Sequence, residues 1–414
     1  MAFLTKRRQI AARLETTLGT AETLTAGDNI PRISNVTWAP TSLQVERNIN
    51  RNTLTPFPKL VPGQTTIQFT FDVEIGGHTT NSAAETTLVE PNWGKLLRGS
   101  AMEKVSSLRT MEGNSAIVGG PFQHGEGMNQ AVSGAVGTVV ADTYTGAPAI
   151  YIEETSGTFN ATNEITGSVS GATITPGTLS TATNIAYRLR SDTDSMEGLT
   201  MSLYADGKIV KARGCMGTMD FVYQHGNPVK ASCTFDGIFV SNADGELLSG
   251  TGLQVSQFVP PTFFSGNTVL SLTDASDVYG TGQTGAAGPL NTIGLSLGNS
   301  VVMRENSLAA SGGLDNAFIS ERAGVGSFNP DELLNSTYDF ISSFTGGTLN
   351  RMRLQVGTTH GNRFEWHTPG MLFTGMGDGD RDGVYTLDAS FDLTGGDYGS
   401  GAAGSDNELV IIVR

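Results

Sequence analysis

The chain has 414 residues, of which 53 are glycine, 38% are apolar and 16% are charged. Its 40 acidic and 25 basic residues give a net charge of −15, which disfavours nucleic-acid binding by the chain as a whole. The length allows two or three domains with cores of their own. No run approaches the roughly 20 apolar residues of a membrane-spanning helix, so no membrane insertion is expected.

The amino-terminal segment is basic. Lys6, Arg7, Arg8 and Arg13 lie in a stretch from Lys6 to Thr17 that is predicted to form a short helix. An extended arm from Gly19 to Pro31 follows, of a kind that frays unless a partner holds it. The four cations are candidates for contact with an acidic face of a neighbouring subunit, and a solvated basic terminus is the alternative. Because the segment lacks the apolar run of a secretory signal, folding in a cytoplasm is expected.

A long alternating strand follows the arm. Apolar residues at Ile67, Phe69, Phe71, Val73 and Ile75 alternate with polar ones, among them Asp72 and Glu74. A period of two predicts one buried face and one polar face. The segment from Pro91 to Arg98 then predicts a helix, and short glycine-separated strands at 131–183 predict a small β insertion.

Two strand patterns near the middle of the chain recur near its end. The strand at 199–204 is followed by a turn and by an alternating strand that begins at Val229; the strand at 352–356 is followed by a turn and by an alternating strand that begins at Gly383. Asp388 and Asp392 lie on the polar face of the alternating strand that begins at Gly383, and a helix is predicted from Pro330 to Phe344. An internal repeat of β units is typical of a subunit that presents similar surfaces to several neighbours.

No catalytic motif stands out. Cys215 and Cys233 are expected to be buried free thiols, and the five histidines show no zinc-ligand spacing and are expected at surfaces or turns: His78, His124, His225, His360 and His367. Asp378, Asp380 and Asp382 match the first positions of an EF-hand loop, but Ala389 occupies the position of its final glutamate. A tight acidic turn is favoured over a Ca²⁺ site, and no cofactor is expected.

Several segments, in order, resemble phage tail tube proteins, the major tail proteins of long non-contractile tails. They are Arg8 to Thr20, Trp93 to Gly99, Leu199 to Val240, Gly377 to Gly383 with the strand after it, and Asn407 to Ile411. The resemblance implies a mainly β fold with two tandem tube-like β-sandwich or half-barrel domains, each with a flanking helix. The expected boundaries are an arm at 1–32, a first domain at 33–260 with the insertion at 131–183, a linker at 261–290 and a second domain at 291–414.

The resemblance also implies a non-enzymatic, structural function. Family tubes are stacked six-fold rings of single domains, so two fused domains predict trimeric, pseudo-hexameric rings; a hexamer of chains is the alternative. The tube would conduct DNA passively, with Asp72, Glu74, Asp388 and Asp392 as candidates that line its lumen. Partners would be other copies of the chain and the tail terminator, tape measure and distal tail proteins, in a virion tail assembled in the bacterial cytoplasm. The arm at 3–31 and the loops at 48–64 and 307–327 are candidates for ring stacking, and the insertion is expected on the exterior.

Two other classes of function remain as alternatives. A virion decoration protein or an adhesin that binds cell-surface glycans would share the glycine- and threonine-rich β pattern. A secreted Ca²⁺-dependent hydrolase would explain the three aspartates at 378–382, but it needs a pair of catalytic side chains that the sequence does not present.

Overall fold

A computed structural model describes residues 4, 6–47, 49–61, 63–78, 81, 88–112, 114–142, 149–180, 184–254, 258–263, 268–273, 278–281, 289–309, 312–395 and 406–414. Strands account for 55% of the structure and helices for 5%, which confirms a mainly β fold. Parts of the predicted arm, insertion and linker, and two positions in each predicted stacking loop, lie outside the described residues.

The described elements up to residue 245 comprise fifteen strands, one α-helix and two 3₁₀ turns, the latter at Ala26–Asp28 and Thr193–Ser195. In chain order they are β1 (Arg8–Leu14), β2 (Asn29–Ile30), β3 (Ile33–Ser42), β4 (Thr65–Glu74), α1 (Gly94–Arg98), β5 (Met102–Glu112), β6 (Gly127–Gln130), β7 (Ala135–Asp142), β8 (Ile150–Ser156), β9 (Ile165–Gly167), β10 (Thr173–Ile174), β11 (Thr178–Leu179), β12 (Asn184–Leu189), β13 (Leu199–Ala205), β14 (Gly207–Gln224) and β15 (Lys230–Gly245).

The described elements after residue 245 comprise ten strands and one helix. They are β16 (Thr268–Thr273), β17 (Val278–Thr281), β18 (Leu290–Ser296), β19 (Asn299–Glu305), β20 (Leu314–Arg322), β21 (Val325–Pro330), α2 (Phe340–Thr345), β22 (Asn350–Val356), β23 (Phe364–Arg381), β24 (Val384–Thr394) and β25 (Val410–Val413).

The order of strand pairing in the first half of the chain recurs in the second. The first half, residues 8–245, pairs antiparallel strands in the order β1–β13–β14–β15–β4–β3, with α1 between β4 and β13 in the sequence. The second half, residues 268–394, pairs β16–β22–β23–β24–β21–β18, with α2 between β21 and β22. The repeat predicted from the strands near residues 199 and 352 therefore extends over six strands and a helix.

One strand pair joins the two halves. β18 of the second half pairs antiparallel with residues 220–224 of β14 in the first half. The result is a continuous eight-stranded surface in the order β3–β4–β15–β14–β18–β21–β24–β23. Each half contributes four of these strands, and we call this surface the joined sheet.

The hydrophobic core lies behind the joined sheet and is shared by both halves. The alternating strands turn their apolar residues inward, so Phe71 of β4 stacks on Phe235 of β15 with ring centroids 6.3 Å apart. Trp366 of β23 packs edge-on against Tyr223 of β14, with centroids 5.1 Å apart, and connects the two halves. The same core cluster contains residues from Ile10 to Val413, so burial of apolar area stabilises the halves together.

Additional strands separate α1 from β13. The chain forms β5 to β12 between residues 102 and 189, whereas α2 leads directly to β22. The predicted insertion at 131–183 lies within this segment, and a separate apolar cluster, which includes Phe122, Ile152 and Phe159, fills it. β12 pairs with both β5 and β25, so the added strands continue the sheet of the second half.

Two predicted helices are wrong in extent or type. The segment from Lys6 to Thr17 contains the strand β1, because all seven residues of Arg8–Leu14 pair with β13 and this outweighs the local helix preference of alanine, arginine and leucine. The helix predicted from Pro330 to Phe344 begins only at Phe340, where the Asp339 side chain accepts the Ser342 amide at 2.9 Å. Pro330 instead ends β21.

Candidate functional site

The four acidic candidates lie on the face of the joined sheet that is turned away from the core. Along β4 the residues Phe71 and Val73 are buried, while Asp72 and Glu74 between and after them are partly exposed. Along β24 the buried residues alternate with Asp388 and Asp392 in the same way. The structure therefore places candidates from both halves of the chain on one polar face, as period-two alternation predicted for each strand separately.

Asp72 and Asp392 belong to one lateral row of that face. Successive cross-strand partners connect them over six strands: Asp72, Ser232, Asp220, Ser296, Val325 and Asp392. Glu74 lies one row away, opposite Lys230, and Asp388 is opposite Gly377. The polar face is thus continuous across the junction between β14 and β18.

Hydroxyl and amide donors orient the carboxylates of this row. The Ser232 hydroxyl donates to Asp72 at 2.5 Å, and the Asn35 amide donates to the other oxygen of the same carboxylate at 2.6 Å. The Ser296 hydroxyl, from the second half, donates to Asp220 at 2.5 Å. These bonds place the acidic groups without neutralising them, because no cation takes part in them.

Two further acidic residues lie on this face and were not predicted from the sequence. Asp220 lies on β14 between the buried residues Met219 and Phe221, and Asp236 lies on β15. Burial raises the pKa of Asp236, although the Gln68 side chain donates to it at 3.0 Å and opposes the shift. The alternation of apolar and polar residues along β14 and β15 would have assigned both aspartates to the polar face.

Cations on this part of the sheet concentrate at Glu74. The Arg32 guanidinium lies 3.3 Å from its carboxylate, and Lys230 occupies the paired position on β15. Asp72, Asp220, Asp388 and Asp392 have no ion pair among the described residues. The face is therefore acidic, and a phosphate backbone would be repelled from it.

The joined sheet is open at both ends. Among the described strands, β3 pairs only with β4, and the stretch of β23 from Thr374 to Arg381 pairs only with β24. Unpaired strand edges expose backbone N–H and C=O groups that can pair with another chain. The two edges lie at opposite ends of one surface, which is the arrangement that a ring of identical chains requires.

The basic amino-terminal residues contact their own chain. Arg7 pairs with Asp206 at 2.6 Å, Arg8 donates to the Val36 carbonyl at 2.6 Å, and Arg13 donates to the Thr23 carbonyl at 3.0 Å. Lys6 is exposed. These contacts hold β1 and the arm against the first half, and whether the four residues also contact a neighbouring ring stays a prediction.

Asp378, Asp380 and Asp382 lie at the tip of the β23–β24 hairpin. Arg381 pairs with Val384 across a two-residue turn in which both Asp382 and Gly383 have positive φ, at 53° and 84°. Such a turn matches the twist of the flanking strands. The Asp380 side chain accepts the Gly383 amide at 3.2 Å, and Asp378 accepts the Tyr385 hydroxyl at 2.8 Å. Within the described ranges, no group of three or more His, Cys, Asp or Glu side chains is placed to hold a metal ion.

A buried charged cluster centres on Glu365 of β23, which the sequence did not single out. Its carboxylate accepts hydrogen bonds from Arg353 at 3.2 Å and from the Tyr151 hydroxyl at 2.8 Å, and it lies 3.1 Å from the ring of His367. Burial opposes ionisation of Glu365, but Arg353 and the His367 hydrogen bond outweigh it and hold the pKa of that carboxyl well below its usual range. Because Tyr151 belongs to β8, the cluster fastens the added strands to the second half.

The structure confirms the prediction for the two cysteines but not for every histidine. Cys215 and Cys233 are free and buried, as predicted, and burial raises the pKa of each thiol. The expectation that all five histidines lie at surfaces or turns is wrong for His367, which is buried within β23; His124 lies in a turn, as expected, but is also almost fully buried. Burial lowers the pKa of both imidazoles. No helix among the residues described here is long and apolar enough to span a membrane.

Comparison with known proteins adds no relative. No protein-family model matches the sequence, and a search of curated proteins found no significant match.

Proposed function

We propose that the chain is a structural subunit that assembles with its own copies into rings, and that the rings stack into the tube of a phage tail through which DNA passes. The observation that carries this proposal is the joined sheet, which repeats a four-stranded unit, connects the two units edge to edge and leaves one open edge at each end. A sheet of this kind loses its open edges when it closes into a barrel.

The β14–β18 pair within one chain is the model for the strand pair that would join neighbouring chains and close the ring. β18 and β3 hold equivalent places in the repeat, as do β14 and β23. If β3 of one chain pairs with β23 of the next as β18 pairs with β14, every junction around the ring is alike. Three chains, each with eight strands, would then form a 24-stranded barrel of pseudo-six-fold symmetry.

The acidic face gives the conduit its chemistry. We place Asp72, Glu74, Asp388 and Asp392, together with Asp220 and Asp236, on the inner surface of the barrel. Carboxylates there repel phosphate, so DNA slides without adhering, whereas a basic surface would hold DNA with an affinity that falls steeply with salt. The chain acts without a cofactor and without catalysis. Terminator, tape measure and distal tail proteins are its proposed partners in the virion tail.

Electron microscopy tests this proposal. Purified protein, before and after concentration, should form hollow rods or stacked rings with a bore wide enough for duplex DNA, and native mass measurement of a detached ring should give three chains. Six chains per ring would still support the tube but would overturn the arrangement of three chains in a pseudo-hexameric ring. Small solid oligomers at every concentration would overturn the tube and favour a decoration protein or adhesin.

Charge reversal tests the assignment of the inner surface. Asp72→Lys combined with Asp392→Lys should leave ring assembly intact and make the tubes retain duplex DNA at low salt, with release as salt is raised. The matched control reverses two exposed acidic residues outside the joined sheet, Glu164→Lys combined with Asp194→Lys, and should not retain DNA. Retention by the control alone, or by neither variant, would place the acidic face elsewhere.

A further inference from the structure

Two connections in the chain are equivalent and have the same length. The first joins β3 to β4 and the second joins β18 to β21, strands that hold the same places in the two halves. Asp236 of β15 pairs with Gln68, which pairs with Ala39; Asp392 of β24 pairs with Val325, which pairs with Ser296. From Ala39 to Gln68 and from Ser296 to Val325 the chain advances by the same 29 residues. The two connections therefore have the same length, and an offset of 257 residues aligns one with the other.

The second connection contains a pair of strands that crosses the junction between the halves. Its strands β19 and β20 pair with each other and pack on β14 of the first half. Ala317 and Ile319 bury their side chains in a cluster with Met216. The Asn299 amide donates to the Gly217 carbonyl at 3.0 Å. The hairpin therefore clasps the neighbouring half beside the β14–β18 pair.

The first connection begins a similar hairpin, but it lies at the open end of the joined sheet, where the chain provides no neighbouring half for it to pack on. Val45 and Leu60 form an isolated bridge with both backbone bonds made, at 2.8 and 3.0 Å, and the Leu43 amide donates to the Gln64 carbonyl at 2.9 Å. Leu60 and Val61, which the offset of 257 aligns with the fully buried Ala317 and the partly buried Phe318, are 52% and 53% exposed. Apolar residues that are buried in one hairpin are left in solvent in the other.

We infer that residues 43–47 and 49–61 belong to an intermolecular clasp whose partner is the second half of a neighbouring copy of the chain. This inference rests on the proposed ring, in which β3 of one chain lies beside β23 of the next. Leu372 of β23 pairs with Asp392, as Met216 pairs with Asp236, so Leu372 is the counterpart of Met216. The clasp thus places Leu60 near Leu372 of the neighbour and completes its hairpin on that surface.

Charge complementarity also favours a second copy as the partner. The loop carries Arg47 and Arg51, whose guanidinium groups lie over the Phe57 ring at 4.9 and 3.2 Å from its centroid. The open edge of β23 carries Asp378 and Asp380, which are exposed. The basic loop follows the open edge of β3 and the acidic residues flank the open edge of β23, so opposite charges at the two ends of the joined sheet steer one copy toward the next.

Cysteine cross-linking tests the clasp. Chains that carry Leu60→Cys are mixed with chains that carry Leu372→Cys, allowed to assemble, and treated with a short bis-maleimide; the native cysteines are buried. We expect cross-linked dimers only in the assembled mixture, and a ladder that ends at three chains when both substitutions are in one chain. The matched control replaces Leu60→Cys by Val132→Cys, an exposed position in the turn between β6 and β7, and should give no cross-link.

A second variant tests the clasp by assembly. Leu60→Asp should raise the protein concentration needed for ring formation at least tenfold while leaving the melting temperature of the dissociated chain unchanged, because Leu60 is exposed there. Val132→Asp should assemble like the unmodified protein. Rings that form without the cross-link, or with Leu60→Asp at the ordinary concentration, would overturn the clasp and leave the proposed function standing. Failure of the unmodified protein to form rings would overturn both.

Discussion

Replacement of Glu365 by glutamine tests whether the buried cluster holds the added strands and the second half together. The carboxylate is fully buried, and the Arg353 side chain beside it is only 7% exposed. Glu365→Gln keeps the shape but removes the negative charge, which leaves the Arg353 guanidinium buried without its counter-ion. Removing one partner of a buried ion pair costs about 3–5 kcal/mol. Because the glutamine carbonyl still accepts one hydrogen bond, we expect a loss of about 3 kcal/mol in the free energy of unfolding.

The assay is urea denaturation of the dissociated chain at pH 7, with Glu46→Gln as the matched control. Glu46 pairs with Lys59 at 3.0 Å, but its side chain is 71% exposed, so its removal should cost less than about 1 kcal/mol. Equal small losses in the two variants would refute the assignment of a stabilising role to the cluster.

The pH dependence of the same measurement gives a second test. The folded chain lowers the pKa of Glu365 below its unfolded value, so the stabilisation is complete above the unfolded pKa, at about 4.3, and declines as pH falls toward the folded pKa. The difference in stability between the unmodified protein and Glu365→Gln should be constant from pH 8 to about pH 5 and should shrink below that. A difference that persists undiminished at pH 3 would contradict the cause proposed here.

Three other predictions concern the second half. Gly326→Ala would place its new methyl group against the Phe391 ring and 2.9 Å from the Gly294 carbonyl oxygen, so it should destabilise the fold by about 1–3 kcal/mol in urea denaturation, whereas Gly377→Ala, with nothing within 4 Å, should not. Gly383→Ala should cost about 1–2 kcal/mol because its φ is 84°, and equal stability of the alanine and glycine proteins would contradict the turn geometry. Millimolar Ca²⁺ should leave the melting temperature unchanged, because the Asp380 side chain already accepts the Gly383 amide; a saturable rise would count against the turn.

The local sequence pattern was sufficient to predict which residues are buried wherever a strand has one buried and one polar face. The period of two along β4 and β24 assigned Asp72, Glu74, Asp388 and Asp392 to polar faces, and the structure confirms that assignment. The same pattern did not reveal the buried cluster, because residues 364–371 of β23 are buried on both faces and show no alternation. A charged residue in such a stretch, like Glu365, is accommodated only by partners from distant strands.

The sequence by itself determined that the chain is mainly β, that strands near residue 199 recur near residue 352, and which residues of the alternating strands face a core. These properties depend on side-chain order over a few residues, since the strand period makes adjacent residues point to opposite faces. Tertiary structure alone decided that residues 8–14 form a strand, that β14 and β18 join the halves into one sheet, and that its two open edges lie at opposite ends. Those features depend on hydrogen bonds between strands up to about two hundred residues apart, which no local pattern specifies.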